Sequence, residues 1–309
     1  MFTNFFDIYL KNTCPKDSIP FEEGDIIVLH SALDYGKALD INMRKRDNRA
    51  NLDLWHVNGT SAQKFIVVKN TNGTYSFAAY CSGRYLDVEN GVYQRGQNVR
   101  QYDANGTGSQ SWVPVANSDG SVSFRCAMDS KYMLDVRGGS TADNTNIQIW
   151  TDNGKPSQKF KVEVVGKVPY KTGKYHIKSA VGSDMMLDVN KTSTADGTEI
   201  VIYSKGNTPS QEFRLMYGAE GSYRLITFCG KAVDVKNAGA EETTKIQQHT
   251  ANYTKAQNWF IKDAGDDTVN LVSEANGLCM DVDNAKTADG TDVWCYRNDN
   301  TKAVKWIIY

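Results

Sequence analysis

The stretch TNIQIWTDNGKPSQKF, residues 145–160, decides how the chain is read. A Gln–Ile–Trp triplet leads into a polar turn, and the turn ends in Gln–Lys–Phe. By itself the DNGKP segment is a turn, with Asn, Gly and Pro in their usual turn roles. Its meaning comes from recurrence. Ten residues upstream stands Asp135 between Leu134 and Val136, and the same apolar–Asp–apolar triplet surrounds Asp40, Asp87, Asp188, Asp234 and Asp281. Successive Asp residues are 47, 48, 53, 46 and 47 positions apart. Twenty-three residues beyond each Asp come Gln63, Gln110, Gln158, Gln211, Gln257 and Val304. Two further on stand Phe65, Trp112, Phe160, Phe213, Trp259 and Trp306. Constant internal spacing with variable filling marks six copies of one unit.

The longest interval separates the third and fourth copies. Its extra residues lie in VEVVGKVPYKTGKY, whose Gly and Pro mark a linker near residues 166–172. The chain is therefore expected to hold an N-terminal extension over 1–21, one domain over 22–166 and a second over 167–309. Period-2 alternation in IIVLHSAL, VSFRCAM and YRLITF, broken by NG, DG and DN, predicts short strands. The expected fold class is all-β, with three repeats completing one another's core in each domain.

Composition narrows the function classes. Lys plus Arg is 35 against 36 Asp plus Glu in 309 residues, a net charge of −1, so nothing favours nucleic acid as a partner. No apolar run approaches the roughly 20 residues of a membrane helix. The N-terminal stretch MFTNFFDIYLKNTCPKD has no basic region and is broken by Asp7, so no cleavable secretory signal is expected there. Localisation stays open between extracellular or cell-surface action and the cytoplasm. The cysteines are Cys14, Cys81, Cys126, Cys229, Cys279 and Cys295, with no CxxC, and most read as small buried hydrophobes. Cys279 and Cys295 share one repeat, and whether they pair is open. The histidines, His30, His56, His176 and His249, have no metal-ligand spacing, and no GxSxG, P-loop, GxGxxG or EF-hand loop occurs. No enzyme, metal or cofactor is expected. An Asp that recurs with the repeat argues for copied binding sites rather than one catalytic pair.

The apolar–Asp–Val triplets, the TADGTEI and TADGTDV turns, and SQKF, SQSW, SQEF and AQNW resemble the ricin B-chain-like β-trefoil lectins. The mark of that family is a Gln-x-Trp near the end of each of three repeats. The resemblance covers about residues 22–309. In layout it is similar to bacterial tandem trefoils, such as the haemagglutinin subunits that accompany clostridial toxins. It implies two tandem β-trefoils and a multivalent carbohydrate-binding protein without enzymatic activity. Glycans, of galactose or N-acetylgalactosamine type by the family's usual choice, are the implied partners; a protein partner in a larger complex is the alternative.

Alternation assigns the faces. The residues flanking each Asp are apolar and point to one side of the strand, so each Asp points to the other, outward into a surface hollow. Position 12 beyond the Asp is apolar in all copies; position 15 lies on the opposite face and holds Trp55, Tyr102, Trp150, Tyr203, His249 and Tyr296. An exposed carboxylate that accepts from vicinal hydroxyls, beside a ring that stacks on a pyranose, is what a saccharide site requires. Position 13 separates the copies: Asp53, Arg100, Gln148, Val201, Gln247 and Trp294. The family commonly uses Gln here, and the resemblance implies that a polar side chain near position 18 closes the site: Asn58, Asn105, Asn153, Gly206, Asn252 and Asp299.

The fullest set is Asp135, Gln148, Trp150 and Asn153, followed by Asp234, Gln247, His249 and Asn252. Asp40, Trp55 and Asn58, and Asp87, Tyr102 and Asn105, complete the candidates with altered preference, while Val201 and Trp294 make the fourth and sixth copies weak or silent. The Gln at position 23 shares a face with the aromatic residue after it, so it is expected to point inward and tie the adjoining turn together. Two departures from the family stand out. The Asn that many members place before this Gln is here Ala62, Ser109, Ser157, Ser210, Ala256 and Ala303. Of the family's intra-repeat disulfide, only Cys279 occupies the first position, and Asn298 stands at the second.

Overall fold

The computed structural model describes residues 18–309; the N-terminal stretch with Cys14 lies outside the described residues. Its contacts divide into two compact units, Met1–Pro169 and Tyr170–Tyr309. Each carries one twelve-stranded antiparallel sheet, consistent with tandem β-trefoil domains. The strands come four to a repeat: in the first, Asp25–Ser31, Asp34–Ile41, Leu52–His56 and Phe65–Lys69. The first and last strands of each sheet pair with one another. Asp25–Ser31 runs antiparallel to Phe160–Lys167, and Gly173–Ser179 to Trp306–Ile308, so the start and end of each unit's chain are joined in its sheet.

The recurrent spacing has a physical origin. The strand holding each Asp and the strand 13 residues later form a hairpin in one fixed register. Between them, position 3 adopts a left-handed conformation in every repeat, with φ between 49° and 66° at Met43, Asn90, Gly138, Lys191, Asn237 and Asn284. Position 9 is also left-handed. At Gly96 and Gly197 φ is 80°, a conformation glycine adopts without steric cost. Its backbone N–H donates to the next repeat: Arg49 to Gln101 O at 2.9 Å, Gly96 to Ile149 O at 2.9 Å, Gly197 to Gln248 O at 2.9 Å and Thr243 to Cys295 O at 2.7 Å. Gly290 closes the second ring by donating to Ile202 O, back in the fourth repeat, at 2.9 Å.

The inward faces follow the alternation. The twelve residues flanking the six Asp, the six at position 12 and the six aromatics at position 25 are all buried. In the first unit Phe77 meets Phe124 edge-on at 5.1 Å, and Phe21 packs edge-on against Tyr75 at 5.6 Å. In the second, Tyr217 and Tyr223 lie 5.8 Å apart, and the Tyr223 hydroxyl donates to Tyr170 O at 2.9 Å.

The Gln residues at position 23 do what a buried amide must. Gln158 Nε2 donates to Thr151 O at 3.0 Å while its Oε1 accepts from Asn153 N at 3.0 Å, clamping the intervening turn. Gln63, Gln110, Gln211 and Gln257 make the same two bonds in their own repeats. At Val304 the clamp is gone. There Asn270 Nδ2 donates to the Val304 carbonyl at 2.8 Å, and Asn298 Nδ2 donates to Asn270 Oδ1 at 3.1 Å.

Cys279 and Cys295 are free, buried thiols. Across their hairpin Cys279 faces Tyr296 and Cys295 faces Met280, so neither stands opposite the other. Burial pushes both thiols up to about 11, which leaves them unreactive at neutral pH.

Candidate carbohydrate-binding site

In the third repeat the strands Tyr132–Val136 and Thr145–Thr151 place Asp135 opposite Gln148 and Met133 opposite Trp150. Gln148 Nε2 donates to Asp135 Oδ1 at 3.0 Å, and Ser157 Oγ donates to Asp135 Oδ2 at 3.0 Å. Above them lies a hollow of about 790 Å³. Asp135, Gln148, Trp150 and Asn153 all line it. Trp150 is half-buried and presents the rest of its ring to the hollow; Asn153 is exposed at the rim.

One expectation needs correction. The six Asp side chains are not exposed carboxylates: they retain only 4–6% of their accessible surface. The reason is the short turn that carries positions 22 and 23, which folds over each Asp from outside while the core lies beneath. In the third repeat this turn is Pro156–Gln158, with Ser157 buried against Asp135. Burial pushes the Asp135 carboxyl above its usual range, opposed by the bonds from Gln148 and Ser157. The hollow therefore has an oriented carboxyl group on its floor.

The serine that replaces the family's Asn finds its use here. Ser109 Oγ donates to Asp87 Oδ2 at 3.0 Å and Ser210 Oγ to Asp188 Oδ2 at 3.1 Å. The position-18 residues also carry a second duty. Oδ1 of Asn58, Asn105, Asn153 and Asn252 accepts the backbone N–H two residues on, at 2.9–3.1 Å. The amide nitrogen of each is left out of this turn.

The other repeats keep the register and change the chemistry. In the fifth, Gln247 Nε2 donates to Asp234 Oδ1 at 3.1 Å, and His249 is half-buried on the next outward position. In the second, Asp87, Tyr102 and Asn105 line a hollow of about 430 Å³. Arg100 lies beside Asp87, with Nε 3.6 Å from its carboxylate, and also pairs with Glu89 at 2.8 Å while its guanidinium stands 5.0 Å from the Tyr102 ring. Sequence reasoning missed Tyr93, which lines the same hollow and whose hydroxyl is buried without a hydrogen-bond partner. In the first repeat Asp40 faces Asp53, with Trp55 and Asn58 keeping their places on the same hairpin and turn. In the sixth, Trp294 turns its indole N–H onto Asp281 at 2.7 Å and so occupies the carboxylate itself. In the fourth, Val201 offers Asp188 no donor and Tyr203 is exposed.

A second missed feature is the neighbour's contribution. Position 8 of one repeat reaches position 16 of the next. Arg95 Nε donates to Thr151 Oγ1 at 3.1 Å, Asp143 accepts from His56 N at 2.9 Å, and Asp196 accepts from Thr250 N at 2.8 Å. Arg95 thereby enters the third repeat's hollow, its guanidinium 5.8 Å from the Trp150 ring centroid.

The family model for the ricin-type β-trefoil lectin domain-like group matches residues 22–102, 69–150, 108–203, 156–229 and 209–296, in overlapping windows that leave little of the chain out. The chain belongs to this family. Tandem trefoil repeats run across it, and the family is one of lectins rather than enzymes. Membership supports carbohydrate binding as its general function. Flavastacin of Elizabethkingia meningoseptica is 26% identical over 132 residues, 42% of this chain and 30% of that protein. The chain thus spans under a third of the curated relative it matches. Among solved structures, a mosquitocidal holotoxin is 18% identical, covering 94% of this chain and 35% of its own, with a TM-score of 0.45. The designed three-fold symmetric protein ThreeFoil is 31% identical over 44% of this chain and 96% of its own, with a TM-score of 0.43. Among the described residues, no group of three His, Cys, Asp or Glu side chains could hold a metal, and no helix is long and apolar enough to cross a membrane.

Proposed function

We propose that the protein is a multivalent lectin made of two β-trefoils, residues 22–166 and 167–309, each of three Gln-x-Trp-type repeats, and that it engages extracellular or cell-surface glycans through several shallow sites. The observation that carries this reading is the convergence of Asp135, Gln148, Trp150 and Asn153 on one hollow. In it the carboxylate and the Gln carbonyl accept from sugar hydroxyls, the Asn amide donates, and the indole stacks on the C–H face of a pyranose. Asp234, Gln247, His249 and Asn252 form the second site. Asp40, Trp55 and Asn58, and Asp87, Tyr102 and Asn105, form sites of altered preference. Galactose-type sugars are the proposed ligands.

A shallow monosaccharide site binds in the millimolar range, about 4 kcal/mol. Several on one chain raise the avidity for a multivalent glycan, provided the spacing lets them engage together. A glycan array probed with the intact protein, and with Trp150→Ala and Asp135→Ala, tests the reading. Binding to a defined glycan class, weakened about tenfold or more by either change, is the expected result. Silence across a broad array from a folded protein would instead favour a scaffold that docks a protein or cell-wall partner.

A further inference from the structure

The third repeat's hollow differs from the others in charge. Three cations line it: Arg95 from the preceding repeat, Arg137 just after the Asp strand, and Lys155 in the closing turn. All three are exposed, and none pairs with a carboxylate among the described residues. Asp135 is the one acidic lining residue, and both its oxygens already accept bonds from Gln148 and Ser157. The hollow therefore carries a net positive charge in a chain whose net charge is −1.

The equivalent positions elsewhere do not repeat this. Around the fifth repeat's Asp234 they are Asp196, Lys236 and Thr254, and Asp196 is itself paired with Lys231 at 2.6 Å. Around the second repeat's Asp87 they are Asn48, Glu89 and Thr107, and the Arg100 in that hollow is neutralised by Asp87 and Glu89. Around the first repeat's Asp40 they are Asp143, Asn42 and Thr60. The charge belongs to the third repeat alone among the four candidate sites.

We propose that the hollow of the third repeat takes an acidic saccharide, a pyranose bearing a carboxylate or sulfate, with Arg95, Arg137 and Lys155 as its specificity-determining residues. The inference rests on the lectin reading above and narrows it to one ligand chemistry. Asp135 and Gln148 orient the ring through its hydroxyls, and Trp150 supports its apolar face. Arg95 holds its Nε on Thr151, and its guanidinium lies over the Trp150 ring, 5.8 Å from the centroid, within reach of an acidic substituent on a sugar in the hollow. A planar fork of donors suits a carboxylate or sulfate, because two parallel charge-assisted bonds form at once. Arg137 and Lys155 line the same hollow and add attraction that salt screens.

The test uses the intact protein and matched glycans: lactose, 3′-sulfolactose and 3′-sialyllactose, together with an array in which neutral glycans stand beside their sulfated, uronic-acid and sialylated counterparts. The expected result is tighter binding of acidic members, by about tenfold at low salt. That preference should shrink as sodium chloride rises from about 0.05 to 0.5 M. It should disappear in Arg137→Glu and in Arg95→Gln/Lys155→Gln, read within each variant as the ratio of acidic to neutral glycan binding. Arg137 is exposed, so its replacement leaves the fold intact. Equal or better binding of neutral glycans, lost in Trp150→Ala, would overturn the acidic specificity and leave the lectin reading standing. An acidic preference that survives Trp150→Ala and Arg137→Glu would also overturn it, by moving the site elsewhere. Absence of any glycan binding would overturn the lectin reading, and this inference with it.

Discussion

Trp259→Ala is expected to cost roughly 4 kcal/mol, enough to unfold much of the second unit near physiological temperature. The side chain is fully buried, and its indole N–H donates to Val233 O at 3.1 Å, on the strand that carries Asp234. Truncation leaves a large cavity and an unsatisfied carbonyl together. Trp259→Phe should cost far less, about 1–2 kcal/mol, because Phe65, Phe160 and Phe213 fill the equivalent position in three other repeats. Hydrogen exchange on the intact protein checks both. Loss of amide protection should concentrate in residues 170–309 for the alanine variant, and equal losses from the two variants would show that packing at this position does not govern stability.

The second large effect concerns two carboxylates. Asp40 and Asp53 face one another across a hairpin at 6% and 1% exposure, with no cation between them. Around them stand Lys37 and His56, both paired with Asp143, and the amides of Asn42 and Gln63; His56 works to lower Asp40 and Asp143 to raise Asp53, each less than burial does. Asn42 donates to Asp53 Oδ2 at 2.6 Å, while Asp53 Oδ1 is buried without a partner. Burial, and then the Asp53 charge, push Asp40 up to about 7; burial pushes Asp53 up to about 6. The two titrate as a pair.

Both folded values lie above the unfolded value of about 4. The folded state therefore holds protons that the unfolded chain releases. The stability this confers is complete below about pH 4 and is lost as pH rises through 6 and 7. Asp53→Asn removes one charge and supplies an N–H to Asp40, much as Gln148 does for Asp135. The variant should gain roughly 2 kcal/mol over the wild type at pH 8 and almost nothing at pH 4.5. Urea unfolding at the two pH values measures the difference, and a gain independent of pH would rule out the shared proton.

Much of this was legible because the chain states its pattern six times. A fixed count from Asp to Gln to aromatic is a fixed hairpin register and a fixed turn, and the apolar residues around each Asp do lie in the core. Burial of the Asp was not legible. Alternation tells which face a side chain takes, and it is silent on whether a turn 22 residues later folds back over that face. Arg95 was missed for a related reason. It belongs by sequence to the second repeat and by position to the third, and only the ring-closing bonds at positions 9 and 14 reveal the transfer. Cys279 and Cys295, whose pairing the sequence left open, are offset by one residue across the strands.

That offset between sequence and space has a consequence for how such a protein can change. Because Arg95, at position 8 of the second repeat, lines the third repeat's hollow, a repeat is not the heritable unit of that hollow's character. Copying one repeat copies the floor of one hollow and the rim of another. A swap of the second repeat alone would rewrite two hollows, its own and the one holding Trp150, while residues 130–160 stayed letter for letter the same.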